Sequence, residues 1–125
     1  MIFLLQQSGK VKLTNIIEKI LLKLEDDKAL NIVRLKLKGK SDVADFLVIA
    51  TGTSSRHVSS ISEHLIDEFE KLGVFGIRPE GLTRGDWVLI DGGDIIVHIF
   101  REEVRQFYNL EKLWGSSANQ KNKSF

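Results

Sequence analysis

The sequence contains no cysteine at any of its 125 positions. A chain without thiols has no disulfide framework, no zinc site ligated by cysteine and no cysteine nucleophile, so several classes of enzyme and of small secreted domain are excluded. The absence is also consistent with a reducing compartment.

Long apolar runs are missing as well. The N-terminal "MIFLL" is too short to span a membrane, and no basic region precedes it as in a signal peptide. We therefore expect a cytoplasmic protein that makes no membrane contact. With 42% hydrophobic and 28% charged residues, the chain has the composition of one soluble globular domain.

The sequence also lacks an excess of charge of either sign. Its 18 basic and 17 acidic side chains give a net charge of +1, so no overall attraction to DNA or RNA is expected. The best local basic patch is "NIVRLKLKGK", where Arg34, Lys36 and Lys38 alternate with apolar residues on one side of a predicted strand. Two interpretations stay open, a charged edge strand that resists aggregation or a minor contact with rRNA.

Three segments have the apolar spacing of helices. The first is predicted from Asn15, with Glu18 three residues later as in a capping box, to about Asp26. The second covers residues 55 to 72, followed by Gly73 where a C-terminal cap is expected. The third covers residues 102 to 114, and the polar tail 115–125 has no periodicity and is predicted to be disordered.

Strand patterns lie between these helices. After the basic strand, "DFLVIATG" is apolar on both faces, as in a central strand covered on both sides. A short strand is predicted at residues 74 to 78, and "WVLIDGGDIIVHIF" is predicted to form a hairpin. The fold class is therefore α/β (α+β), a mixed sheet of about five strands packed with helices.

The hairpin has two different faces. A two-residue Gly-Gly loop predicts that Asp91 pairs with Asp94, Leu89 with Ile96 and Trp87 with His98. One face then consists of Val88, Ile90, Ile95, Val97 and Ile99, all β-branched, and is predicted to be core. The other face mixes aromatic, aliphatic and ionisable groups, namely Trp87, Leu89, Asp91, Asp94, Ile96, His98 and Phe100. This face is either a binding surface or a covered layer in which His98 is a satisfied buried histidine.

The last predicted helix has more apolar surface than one core contact requires. Its apolar residues spread over roughly 220° at 100° per residue, and they are Val104, Phe107, Tyr108, Leu110, Leu113 and Trp114. Together with Arg105, Glu111 and Lys112 they have the composition of a binding patch, although a helix wedged between two layers has the same pattern.

The motifs that would indicate an enzyme are weak. "TGTSSRHV" joins a strand to a helix and could offer backbone amides to an anion, but it lacks the spacing and the lysine of a P-loop. Ser54 or Ser55 is more readily interpreted as the helix cap. No predicted strand carries the two carboxylates, one residue apart, that hold magnesium in nucleotidyltransferases, and the three histidines have no metal-ligand spacing. We expect no catalytic residue, no metal and no cofactor.

Four segments together resemble the ribosomal silencing factor (RsfS, Iojap-related) family. They are "SDVADFLVIATGTSSRHV", "PEG", "DWVLIDGGDIIVHIF" and "REEVRQFYNLEKLWG". The resemblance covers about residues 15–114 as one domain, and it leaves residues 1–14 as an unmatched N-terminal extension and 115–125 as the tail. Phe46 stands where many members have tyrosine, and Thr51 where many have serine.

The resemblance implies a non-enzymatic protein with a nucleotidyltransferase-like core that lacks the catalytic carboxylates. Such a protein binds the large ribosomal subunit through ribosomal protein uL14, sterically blocks joining of the small subunit and represses translation under nutrient limitation. Matched to the family's motifs, the partner-binding residues are Trp87, Leu89, Asp91, Arg105, Tyr108, Glu111 and Trp114. The alternative is a nucleotide- or phosphate-binding enzyme of the same fold that uses "TGTSSR" and Asp91.

Overall fold

A computed structural model of the chain describes residues 9–37 and 44–108, with the side chains of 13–37 and 44–105. In chain order the elements are α1 (Gly9–Asp26), β1 (Leu30–Lys36), β2 (Phe46–Gly52), α2 (Ser55–Lys71), β3 (Trp87–Asp91), β4 (Ile95–Arg101) and α3 (Glu102–Tyr108). Within the described ranges, no helix has the length and apolar composition needed to cross a membrane.

The strands form one mixed sheet in the order β1-β2-β4-β3. β2 pairs antiparallel with β1 and parallel with β4, and β3 pairs antiparallel with β4. The expected α+β class and the central position of β2 are confirmed, because six of its seven residues are buried. The expected number of about five strands is wrong for the described residues, which form four.

The strand predicted at residues 74 to 78 is a loop. Val74 and Ile77 pack against the core, which explains the apolar pattern, but Phe75 between them is 74% exposed. Gly76 has a positive φ of 79°, which interrupts an extended backbone. The segment approaches the sheet only further along, where Glu80 forms an isolated bridge with Leu89.

Both long helices pack on one face of the sheet, which we call the helix face. The apolar stripes of α1 and α2 supply Ile16, Ile17, Ile20, Leu24, Val58, Ile61, Leu65 and Phe69, each at most 8% exposed. The strands supply Val48, Ala50, Val88, Ile90, Ile95, Val97 and Ile99, each at most 1% exposed. The predicted core face of the hairpin is therefore confirmed, and this dry layer is the principal stabilising element of the fold.

The helix boundaries agree with prediction at three of the four ends tested in α1 and α2. Ser54 is the N-cap of α2, where its side chain accepts a 3.0 Å hydrogen bond from the backbone N–H of His57. Gly73 follows the end of α2 with a φ of 93°, as a C-terminal cap requires. The predicted start of α1 is wrong, because the helix begins at Gly9 and Asn15 lies inside it as an exposed residue.

The hairpin closes two residues later in β4 than predicted. Asp91 pairs with Ile96, Leu89 with His98 and Trp87 with Phe100, and Gly92 N–H donates to the Ile95 carbonyl at 2.9 Å. The turn residues are therefore Gly93, which has a φ of 89°, and Asp94. Because side chains alternate with a period of two, a shift of two residues leaves every strand side chain on its predicted face.

Candidate functional site

The other side of the sheet, which we call the second face, changes from buried to exposed across its width. At its centre lies a cluster of buried apolar residues, Leu35, Leu37, Leu47, Ile49 and Phe100. Trp87, Ile96 and Val104 pack against this cluster but are only partly buried. Towards β3, Leu89 and His98 are half-buried and Asp91 is exposed. The second face therefore ends at β3 in a partly accessible apolar surface.

Trp87 is the first residue of β3 and forms part of that accessible surface. Its indole stacks on Phe100, with ring centroids 4.9 Å apart and an angle of 29° between the ring planes. Its Nε1–H donates a 2.8 Å hydrogen bond to Nδ1 of His98. The side chain thus has a defined orientation while part of its surface remains accessible to solvent.

Burial keeps His98 neutral. Desolvation lowers the pKa of its imidazole from 6.5 to about 4, so the ring carries no charge at neutral pH. Because Nδ1 accepts the hydrogen bond from Trp87, the proton of the neutral ring is on Nε2. His98 is therefore a satisfied, half-buried histidine and also a direct neighbour of a predicted partner-binding residue.

The segment "PEG" fixes the backbone at the outer edge of β3. Glu80 and Leu89 exchange two backbone hydrogen bonds of 3.0 and 2.9 Å. Gly81 has a φ of 89°, and a Cβ built there would lie 2.1 Å from the carbonyl oxygen of Trp87. Only glycine fits between the loop and this carbonyl. The sequence offered "PEG" as part of a family pattern, and its local role is visible only in the structure.

Arg105 lies in the interior, between α3 and the sheet. It is 8% exposed, and its Nη1 donates to the carbonyl of Asn31 at 2.7 Å and to Oγ1 of Thr51. These bonds join the short α3 to β1 and β2. Arg105 stays a predicted partner-binding residue, and within the chain its guanidinium holds α3 in place.

The junction between β4 and α3 is fixed by the ion pairs of Arg101. Arg101 donates from Nε to Oδ1 of Asp86 at 3.0 Å and from Nη1 to Oε2 of Glu103 at 3.2 Å. Asp86 directly precedes Trp87, so this group links the start of β3 to the start of α3. The sequence pattern does not predict this contact between Asp86 and Arg101, since it depends on the pairing of two strands.

The structure brings together part of the predicted site. Trp87, Leu89 and Asp91 lie on the second face of β3, at successive positions on the same side of the strand. Tyr108 is the last residue of α3, whose side chains are described as far as Arg105. Glu111 and Trp114 lie outside the described residues, as does the predicted disordered tail 115–125.

The basic strand β1 forms one edge of the sheet, as the aggregation-resistant interpretation predicts. Arg34 forms an ion pair with Glu18 of α1, with 3.0 Å between Nη1 and Oε2. This contact places its guanidinium on the helix side of the sheet. Lys36 is exposed, and Lys38 lies outside the described residues.

Backbone N–H groups at the "TGTSSR" junction donate hydrogen bonds to side chains of the same segment. The N–H of Thr53 donates to Nδ1 of His57 at 2.9 Å, and the N–H of His57 donates to the Ser54 hydroxyl. The Nε2 of His57 in turn lies 2.9 Å from the carbonyl of Asp27, at the end of α1. Two of the backbone amides at this junction, those of Thr53 and His57, are thus occupied within the chain, and the bond to Ser54 is that of the predicted cap. Across the described part of the chain, no group of three or more histidine or carboxylate side chains is placed to hold a metal ion.

Comparison with known proteins gives a consistent result. A family model described as "Ribosomal silencing factor during starvation" matches residues 11–124. The ribosomal silencing factor of Zymomonas mobilis is 51% identical over 92 residues, which are 74% of this chain and 69% of that protein. A more distant mouse relative, named "Mitochondrial assembly of ribosomal large subunit protein 1", is 30% identical over 94 residues, covering 73% of this chain and 41% of that protein.

A solved structure has the same fold. A crystal structure of a Chromobacterium violaceum protein superposes with a TM-score of 0.78 at 33% identity, covering 82% of this chain and 85% of that one. The family model spans nearly the whole chain, and both the sequence relatives and the solved structure agree with it. The chain belongs to the ribosomal silencing factor family.

Proposed function

We propose that this chain binds the large ribosomal subunit through ribosomal protein uL14 and occupies the space that the small subunit needs in order to join. Translation is thereby repressed under nutrient limitation. Membership of the silencing factor family supports the regulatory role. The name of the mouse relative refers to the large subunit, which supports that particle as the partner.

The observation that carries the proposal is the partly exposed Trp87 on the second face. Tryptophan is enriched among the residues that dominate binding energy at protein interfaces. Stacking on Phe100 and the hydrogen bond to His98 already restrain the indole, so little side-chain entropy is lost when a partner covers it. Leu89 extends the apolar surface beside it, and Asp91 supplies a polar rim.

The proposed mechanism is steric and requires no catalytic step. A domain seated on the intersubunit side of the large subunit excludes the small subunit by volume alone. The alternative, a nucleotide- or phosphate-binding enzyme, has less support, because the amides of Thr53 and His57 are already bound within the chain. We therefore assign no catalytic residue and no cofactor.

The proposal is tested by truncating one exposed aromatic residue at the site and one away from it. Trp87→Ala removes the proposed anchor, and Phe75→Ala removes a side chain that is 74% exposed in the loop after α2. Loss of an aromatic anchor costs about 2 kcal/mol or more, so Trp87→Ala should weaken binding to purified large subunits at least about thirtyfold. Phe75→Ala should bind as the parent does.

Two measurements are made on each variant, inhibition of subunit association and thermal unfolding. Tyr108→Ala is tested in the same way, because the family resemblance includes it. If folded Trp87→Ala blocks subunit joining as well as the parent, the proposed surface is wrong. If the parent itself neither binds large subunits nor prevents joining, the proposed function is wrong.

A further inference from the structure

His98 lies in the middle of the second face without being part of the apolar cluster. It occupies β4 opposite Leu89 in β3 and beside Ile49 in β2. Its ring is stacked against Phe100 with a centroid distance of 6.0 Å and an interplanar angle of 10°. Its ring centroid is 5.8 Å from that of Trp87. A polar ring in this place needs a hydrogen-bond partner, and Nδ1 has one in the indole N–H.

Among the described contacts of Trp87, three restrain different motions. Gly81 packs against its carbonyl oxygen and, with the Glu80–Leu89 bridge, fixes the backbone of β3. Phe100 fixes the plane of the indole by stacking. Stacking alone leaves the ring free to slide and turn within that plane, because dispersion has little directionality. The bond from Nε1 to Nδ1 of His98 is directional and restrains motion of the indole within that plane.

We infer that His98 is a positioning residue for the contact with the large subunit, holding the Trp87 indole through Nδ1 in its binding orientation. The inference rests on the proposed function, since it concerns the same surface. His98 acts through Trp87 and need not touch the partner. An indole restrained before binding loses less entropy on association, so the hydrogen bond contributes to affinity without crossing the interface.

Substitutions at His98 distinguish the role of its aromatic ring from the role of its hydrogen-bond acceptor. His98→Phe keeps an aromatic ring beside Phe100 and removes the acceptor. His98→Asn places an amide oxygen near the position of Nδ1, whereas His98→Gln places its amide near the position of Nε2. His64→Phe is the matched control, because His64 is an exposed residue of α2, the helix that packs on the opposite face of the sheet.

Binding of each variant to purified large ribosomal subunits is measured together with thermal unfolding. A hydrogen bond of ordinary strength corresponds to about five- to tenfold in affinity, which is the loss expected for His98→Phe. His98→Asn should recover part of this loss and should bind more tightly than His98→Gln. His64→Phe should bind within about twofold of the parent.

The indole N–H of Trp87 provides a readout that a purely structural role would not change. Its ¹H–¹⁵N resonance is assigned by its disappearance in Trp87→Phe. In the parent and in His98→Asn, the acceptor should slow exchange of this proton with solvent. In His98→Phe and His98→Gln, exchange should be faster although the domain remains folded.

The outcomes distinguish the inference from the function on which it rests. If the parent binds, weaker binding by folded His98→Phe together with faster indole exchange supports the inference. Parental affinity in folded His98→Phe overturns it and leaves the proposed function intact. If His98→Phe fails to fold, equal affinities of His98→Asn and His98→Gln overturn the inference. Failure of the parent to bind large subunits overturns the proposed function, and the positioning role with it.

Discussion

The two faces of the same sheet differ in how completely they are buried. On the helix face, the strands supply seven aliphatic residues that are each at most 1% exposed, while Ile32 and Phe46 pack against them partly buried. On the second face, burial is complete at Ile49 and Phe100 but partial at Trp87, Ile96 and His98. The same four strands form both faces, so the difference in burial arises from the elements that cover each face.

The contrast separates stability from recognition. A mostly buried aliphatic layer covered by two helices stabilises the fold and leaves little apolar area for a partner. A graded layer with aromatic and polar groups at its margin still has apolar area to bury, which is the composition of an interface. Substitutions on the helix face should therefore reduce stability first, and those near β3 should reduce binding first.

The largest expected difference in stability comes from truncating one isoleucine on each face of β4. Ile99 is fully buried on the helix face, and Ile96 is partly buried on the second face. Ile99→Ala should lower the free energy of unfolding by about 3–4 kcal/mol, because it removes buried methyl groups and leaves a cavity. Ile96→Ala should cost about half as much. Denaturant titration of both variants gives the comparison, and equal costs would remove the distinction between the faces.

The next largest effect concerns the loop that fixes β3. Gly81→Ala introduces a Cβ 2.1 Å from the Trp87 carbonyl at a φ of 89°, whereas Gly76→Ala, at a φ of 79°, meets nothing within 4 Å. Left-handed backbone costs a residue with a Cβ about 1–2 kcal/mol, so Gly76→Ala should lose about 1 kcal/mol and Gly81→Ala about 3 kcal/mol. Thermal unfolding measures both. Similar losses of stability in the two variants would show that position 81 is not in close contact with the backbone of β3.

A smaller effect should appear as a dependence of stability on pH. Burial lowers the pKa of His98 to about 4 from 6.5, so the unfolded chain binds more protons than the folded chain between these values. The contribution of neutral His98 to the free energy of unfolding is therefore fully present above pH 6.5 and is lost as the pH falls towards 4. Allowing for its partial exposure, the loss should be about 2 kcal/mol.

The pH prediction is tested by difference, since carboxylates titrate in the same range. The free energy of unfolding is measured for the parent and for His98→Asn from pH 7 to pH 4. The advantage of the parent over His98→Asn in free energy of unfolding should shrink or reverse as the pH falls, because only the parent has a histidine at position 98. Parallel pH profiles would contradict the lowered pKa.

The smallest effect is expected at the far edge of the sheet. Arg34 and Glu18 form an ion pair whose side chains are 43% and 57% exposed, so Arg34→Gln should change stability by less than about 0.5 kcal/mol. Binding to large subunits should also be nearly unchanged. A strong loss of binding, together with a shallower salt dependence than that of the parent, would instead make rRNA a principal partner of β1.

The sequence was sufficient where the pattern is local and periodic. Alternation from Val88 to Ile99 placed the side chains on the correct faces despite the error in hairpin register, because a shift of two residues keeps the faces. It was insufficient where contacts are distant along the chain. Two hydrogen-bond partners of Arg105 lie 54 and 74 residues away, so these contacts could not be predicted from the local pattern. Likewise, proximity of Trp87 and His98 was predicted but not their hydrogen bond.

The absence of cysteine allows a direct test of which face meets the large subunit. A single cysteine is introduced at Asp91, exposed at the rim of the second face, or at Leu22, which is 58% exposed on α1. Each protein is labelled with a photoreactive benzophenone maleimide and irradiated with purified large subunits. We predict that the label at position 91 crosslinks to uL14 and that the label at position 22 does not. Crosslinking to uL14 from position 22 and not from position 91 would contradict it.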